Sequence, residues 1–123
     1  MKFTLEKIVP ALASGALARL NRLDLPVRTA HALRTMVKSS LAECAIYDEQ
    51  RAAMLNKYGT PIPDSNNFKI NVADAYNTGM RELLAIEVEL AGAMPTMAEV
   101  LDAKDGRLHG EDFELLEPLM PAK

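Results

Sequence analysis

AECAIYDEQRAAMLNKYG, residues 42–59, decides the fold. It holds the only cysteine of the chain, Cys44, with Tyr47, the acids Glu43, Asp48 and Glu49, and Arg51. Such a stretch reads either as a reactive site or as one flank of a long packed helix. Spacing discriminates between the two. Ala30, Val37, Cys44, Arg51 and Tyr58 recur every seven residues. Leu33, Ser40, Tyr47 and Met54 run beside them, and Leu41 and Leu55 widen the stripe. A repeat of this kind builds a helix that lies along another helix. No Gly or Pro interrupts residues 27–58, and Gly59 stands where a left-handed C-terminal cap would end the helix.

On that seam Cys44 is a small buried hydrophobe. Activation would need a histidine, a metal or a helix N-terminus close by, and a mid-helix position denies the last of these. His31 lies thirteen residues upstream on the same helix, and His109 is remote in sequence. Arg51 is the one charge on the seam. Its apolar stem is expected to lie along the second helix, with its guanidinium meeting an acid such as Glu82.

Upstream, FTLEKI (residues 3–8) opens with Phe3 and Leu5 alternating with polar residues, a short strand signal. From Leu12 the apolar residues fall three or four apart through Ala16, Leu20 and Leu23, which marks a helix with Pro10 near its start. LDLP then ends it, because the residue before Pro26 is pushed out of the α region.

Downstream, GTPIPDSNNFKIN (59–71) reads as a reversing loop, with Asn71 as cap of the next helix. That helix presents Val72, Tyr76, Met80 and Leu83 on one face, and Asp74 suits its first turn. Gly79 weakens it by about 1 kcal/mol relative to Ala but lets a neighbouring helix approach closely. Ile86, Val88 and Leu90 alternate with Glu87 and Glu89, a strand whose natural partner is FTLEKI. The alternative is a helix running on to Leu90. Thr96 and Glu99 have capping-box spacing before a short helix. Asp105-Gly106 is a turn, and EDFELLEPLM (111–120) docks Phe113, Leu115, Leu116 and Leu119 while its acids point outward.

The expected architecture is therefore mainly α, in one domain spanning residues 1–123. An antiparallel helical hairpin of residues 27–58 and 71–85 is joined by additional short helices and a small two-stranded β-sheet. Composition agrees with this. Of 123 residues, 49% are hydrophobic and only 5% aromatic, which favours aliphatic helix packing over a sandwich or barrel. One cysteine excludes an internal disulfide framework and a multi-cysteine zinc site.

No apolar run approaches the roughly 18 residues of a membrane span. Glu6, Lys7 and Pro10 interrupt the N-terminal apolar stretch, so it departs from a secretion signal, and the expected location is the cytoplasm.

Charge is distributed unevenly. Residues 1–40 carry seven Lys or Arg against two acids, while residues 41–123 carry seven against fifteen. The asymmetry reads as a basic patch, as an acidic face for a basic partner, or as two faces that meet inside the fold.

Chemistry-bearing motifs do not emerge. The chain has no GxGxxG, GxxxxGK, GxSxG or HExxH pattern. Acid pairs such as Asp48-Glu49 diverge on a helix. The expectation is no catalytic, cofactor-binding or metal-binding residue, and hence no enzyme. The candidate partner surface is Glu111, Asp112, Phe113, Glu114 and Leu116, an acidic rim around apolar anchors. The alternative is a basic surface of Arg28, Arg34 and Lys38 for nucleic acid, which lacks the aromatic interleaving of a single-strand binder. Self-association is left open.

LDLPVRTAHALRTMVKSSLAECAIYDEQRAAMLNKYG (23–59), followed by YNTGMRELLAIEVEL (76–90), resembles a small family of mainly helical proteins encoded in tailed phages and prophages. The shared layout is a leucine-rich helix, a long charged helix ending in a phrase like LNKYG, a loop, and a helix passing into a phrase like EVEL. The resemblance brings no catalytic residues to carry over. It implies a phage-borne accessory protein in the infected bacterial cytoplasm, either an assembly factor or an inhibitor of a host protein.

Overall fold

Three residues near the N-terminus, Lys2–Thr4, form β1, and the chain turns directly into helix α1, Leu5–Ala13. The computed structural model describes residues 2–103, 108 and 110–121. The strand is thus shorter than FTLEKI. Leu5, Ile8 and Ala11 recur at helical spacing and are all buried, and that stripe overrides the alternation of the first residues. Pro10 lies inside α1 rather than at its start, on an exposed face. Gly15, in the left-handed region at φ 85°, then breaks the expected single helix and starts α2, Ala16–Leu20.

Helix α3 spans Val27–Tyr58, 32 residues, which at 1.5 Å per residue is about 48 Å. Its first two thirds carry the core stripe Leu33, Met36, Ser40 and Tyr47. Val37, Cys44 and Met54 pack partly buried against the same cluster. The buried Ser40 hydroxyl donates to the Met36 carbonyl at 2.9 Å, which satisfies it within the helix.

Beyond Tyr47 the seam is only half covered. Arg51 is exposed, and no ion pair to Glu82 forms among the described residues. The expected Arg51–Glu82 pairing fails because both side chains are exposed and α3 meets α4 through Met54 and Gly79 instead. Leu41 is 52% exposed, on the side of α3 away from the core, so it does not widen the seam.

Gly59 is no left-handed cap. At φ −134° and ψ 171° it is extended and begins β2, Gly59–Pro61, which pairs antiparallel with β3, Phe68–Ile70. Residues 59–71 are therefore a hairpin, not an irregular loop. Pro61 is compatible with this ribbon because it sits at the end of a two-stranded ladder, where strands have free edges. Asn71 does not cap the next helix. Its amide donates to Thr60 Oγ1 at 2.7 Å across the hairpin, and α4, Ala73–Leu84, starts without a side-chain cap.

After α4, strand β4, Glu87–Glu89, returns to β1 with Lys2 opposite Glu89, Phe3 opposite Val88 and Thr4 opposite Glu87. Residues 86–90 are thus not a helical extension. Leu5 N–H donates to the Ile86 carbonyl at 3.0 Å and closes the sheet.

Helix α5, Met97–Asp102, begins at the expected capping box: Glu99 N–H donates to Thr96 Oγ1 at 3.2 Å and Thr96 N–H to Glu99 Oε1 at 3.1 Å. Helix α6, Gly110–Leu116, continues into a 3₁₀ turn, Glu117–Leu119. The Asp105-Gly106 turn and His109 lie outside the described residues.

The chain is mainly α, with two small two-stranded sheets among the described residues. Its core joins α1 and α2 (Ile8, Leu17, Leu20) to α3 (Leu33, Met36) and to Leu116 and Leu119, all 2% exposed or less. No helix among the described residues is long and apolar enough to cross a membrane.

Candidate functional site: a cleft between the long helix and its returning partner

The end of α3 and the returning α4 are held together at two levels. At the tip, the Tyr58 carbonyl accepts from Asn71 N–H at 2.8 Å and from Val72 N–H at 3.2 Å, so the hairpin fixes where α4 starts. Farther down, Gly79 faces Met54. A Cβ on Gly79 would stand 2.7 Å from the Met54 sulfur, so the close approach expected of this glycine is present.

Around that contact the two helices leave an open cleft of about 530 Å³. Met54, Ala53 and Leu83 give it an apolar surface, with Tyr58 and Ile86 at its edges. Gln50, Lys57 and Glu82 supply polar groups, and Lys57 Nζ lies 5.2 Å from the centroid of the Tyr58 ring. Ile86 is 44% exposed, which leaves a large apolar side chain at the opening. Apolar walls with one cation and one anion suit an apolar side chain carried on a polar backbone.

The candidate surface on the last helix is largely consumed by the fold. Asp112 is 1% exposed and Leu116 is fully buried, while Phe113 is half-buried against the core. Only Glu111, Glu114 and Glu117 of the acids point outward. Asp112 turns inward because Arg19 receives it: Nε donates to Oδ2 at 2.7 Å and Nη2 to Oδ1 at 2.5 Å. The hydrogen bond to Asp112 raises the Arg19 pKa. Here a basic residue of the first forty and an acid of α6 meet inside the fold.

Arg28, Arg34 and Lys38 are all exposed on α3. Arg34 and Lys38 share a face, while Arg28 lies toward another edge.

Cys44 is half-buried beside the core. Burial pushes its thiol pKa up, and Asp48 and Glu43 push it in the same direction. That is the reverse of what a nucleophilic thiolate requires. Among the described residues, no three His, Cys, Asp or Glu side chains converge to hold a metal ion.

The cleft was not legible as a site in the sequence. Gly79 signalled a close approach, but the residues around it belong to two helices whose registration the hairpin sets. No family model matches this chain, and no curated protein or solved structure does either.

Proposed function

We propose that this chain is a non-enzymatic accessory protein of phage or prophage origin that acts by binding another protein, as an assembly factor or as an inhibitor of a host protein. The phage setting rests on the resemblance of residues 23–59 and 76–90 described above. The binding mode is supported by one observation, the open cleft between Met54, Gly79, Leu83 and Ile86. An apolar side chain of the partner fills it, displacing water from surface that the fold leaves uncovered. Lys57 and Glu82 orient the partner's backbone or polar flanks.

Two variants test this in a pull-down from host lysate. Ile86→Glu places a charge at the opening on a side chain that is already exposed, so the fold is kept. Ala53→Leu adds bulk to the cleft from an exposed position of its wall. Partner capture falls about tenfold or more in both, a loss of roughly 1.4 kcal/mol of binding, while far-ultraviolet circular dichroism is unchanged for Ile86→Glu. Undiminished capture by folded Ile86→Glu overturns the assignment of the cleft.

A further inference from the structure

The walls of the cleft hold no free backbone donor among the described residues. On α3 they run from Gln50 to Tyr58 and on α4 from Gly79 to Leu83, beyond the first turn of each helix. Every N–H there donates to a carbonyl one turn back. Ile86 lies just past α4, yet its N–H donates to the Leu83 carbonyl at 3.2 Å and its own carbonyl accepts from Leu5 N–H at 3.0 Å. The Tyr58 carbonyl is taken by Asn71 and Val72. No described strand lines the cleft, so no sheet edge faces it.

An extended segment is therefore a poor occupant. Its buried carbonyls would find as donors only the side chains of Gln50, Lys57 and Tyr58. A helix arrives with its backbone bonds already made and presents side chains alone. Gln50, Met54 and Lys57 recur three or four residues apart along one wall, and Gly79, Leu83 and Ile86 along the other. Each run covers about two turns, or about 10 Å of helix axis. Two such rows form a groove into which the side-chain ridge of a third helix packs.

Charge fixes the character of that helix. Lys57 stands on the α3 wall and Glu82 on the α4 wall, both exposed. Neither has an ion-pair partner among the described residues, and Lys57 lies over the Tyr58 ring. An incoming helix with an acid on one edge and a base on the other answers both walls. Building on the cleft as the binding site, we propose that its occupant is an amphipathic helix of the partner protein. About two turns of it are apolar along the buried stripe, with an acid on the edge toward Lys57 and a base on the edge toward Glu82.

Random peptides of about 15 residues, displayed and selected against the purified chain, test this without imposing a conformation. Enriched peptides repeat apolar residues at helical spacing between an acid and a base, and gain helical circular dichroism on binding. One proline at the middle of the stripe weakens them about tenfold or more. Charge reversal reads the edges. Lys57→Glu binds a peptide whose acid is changed to lysine about threefold or more tighter than the parent chain does, and Glu82→Lys does the same for a peptide whose base is changed to glutamate. The possible failures are distinct. Binders indifferent to Ile86→Glu lie outside the cleft and overturn the cleft together with its occupant. Binders that Ile86→Glu weakens, but that tolerate the proline or ignore both reversals, leave the cleft standing and overturn the helix. A selection that yields no binder overturns the helix as well.

Discussion

The Arg19 guanidinium and the Asp112 carboxylate, 93 positions apart, form a two-pronged ion pair in which the acid is almost wholly enclosed and the arginine reaches partly to solvent. The same guanidinium donates to the Ser14 carbonyl at 3.1 Å, so the bend between α1 and α2 and the docking of α6 share one side chain. Removing Arg19 takes away the guanidinium that offsets the burial of the Asp112 carboxylate. Arg19→Met is therefore expected to lower the urea midpoint markedly at pH 7, and Arg19→Met/Asp112→Leu to recover much of that loss. A single variant as stable as the parent would show that the pair contributes little to docking the C-terminal helix.

Gly92 is expected to be among the least replaceable residues. It is left-handed at φ 83°, and an added Cβ would meet the Ala32 carbonyl and stand 2.5 Å from the Met36 amide nitrogen. These are backbone atoms of α3 and cannot swing aside. Gly92→Ala should cost about 3 kcal/mol or more, from the left-handed penalty together with displacement of the 91–94 segment. Gly110→Ala is the control, because nothing lies within 4 Å of a Cβ there. Chemical denaturation of the two variants gives the comparison, and similar costs at both sites would refute the close approach.

Glu99 links stability to acid. The Thr29 hydroxyl donates to its Oε2 at 2.5 Å, and this bond, followed by the Thr96 backbone amide, lowers its pKa below the ordinary 4.5. The folded state thus binds this proton more weakly than the unfolded chain does. Its contribution is complete above about pH 4.5 and fades as pH falls through the folded value. Thr29→Val should be less stable than the parent at pH 7, with the gap closing toward about pH 3. Thr96→Ala, which also removes the cap, should cost about 1 kcal/mol at neutral pH. Melting curves from pH 3 to pH 7 check both, and a gap that stays constant with pH would exclude the carboxylate as its source.

Local pattern was enough for much of this molecule. The uninterrupted run from Val27 to Tyr58 dictated one helix, because each residue satisfies its own backbone and nothing breaks the ladder. Thr96 and Glu99 dictated a helix start, and the alternation around Val88 pointed to a strand while leaving a continued helix open. The β1–β4 pairing followed, since residues 3–8 and 86–90 were the two stretches read as alternating.

What tertiary structure decided were the contacts whose members sit far apart in sequence. Asp112 looks like any acid of an amphipathic helix until Arg19 arrives to repay its burial. Arg51 and Leu41 fit the seven-residue stripe, yet one is turned to solvent beside the contact that Met54 makes and the other faces away from the core. Gly59 suited a helix cap, but pairing with Ile70 gave its backbone groups better partners in a hairpin. A periodicity reports which face of an element is apolar. How much of that face is covered, and by what, depends on where the other elements stop.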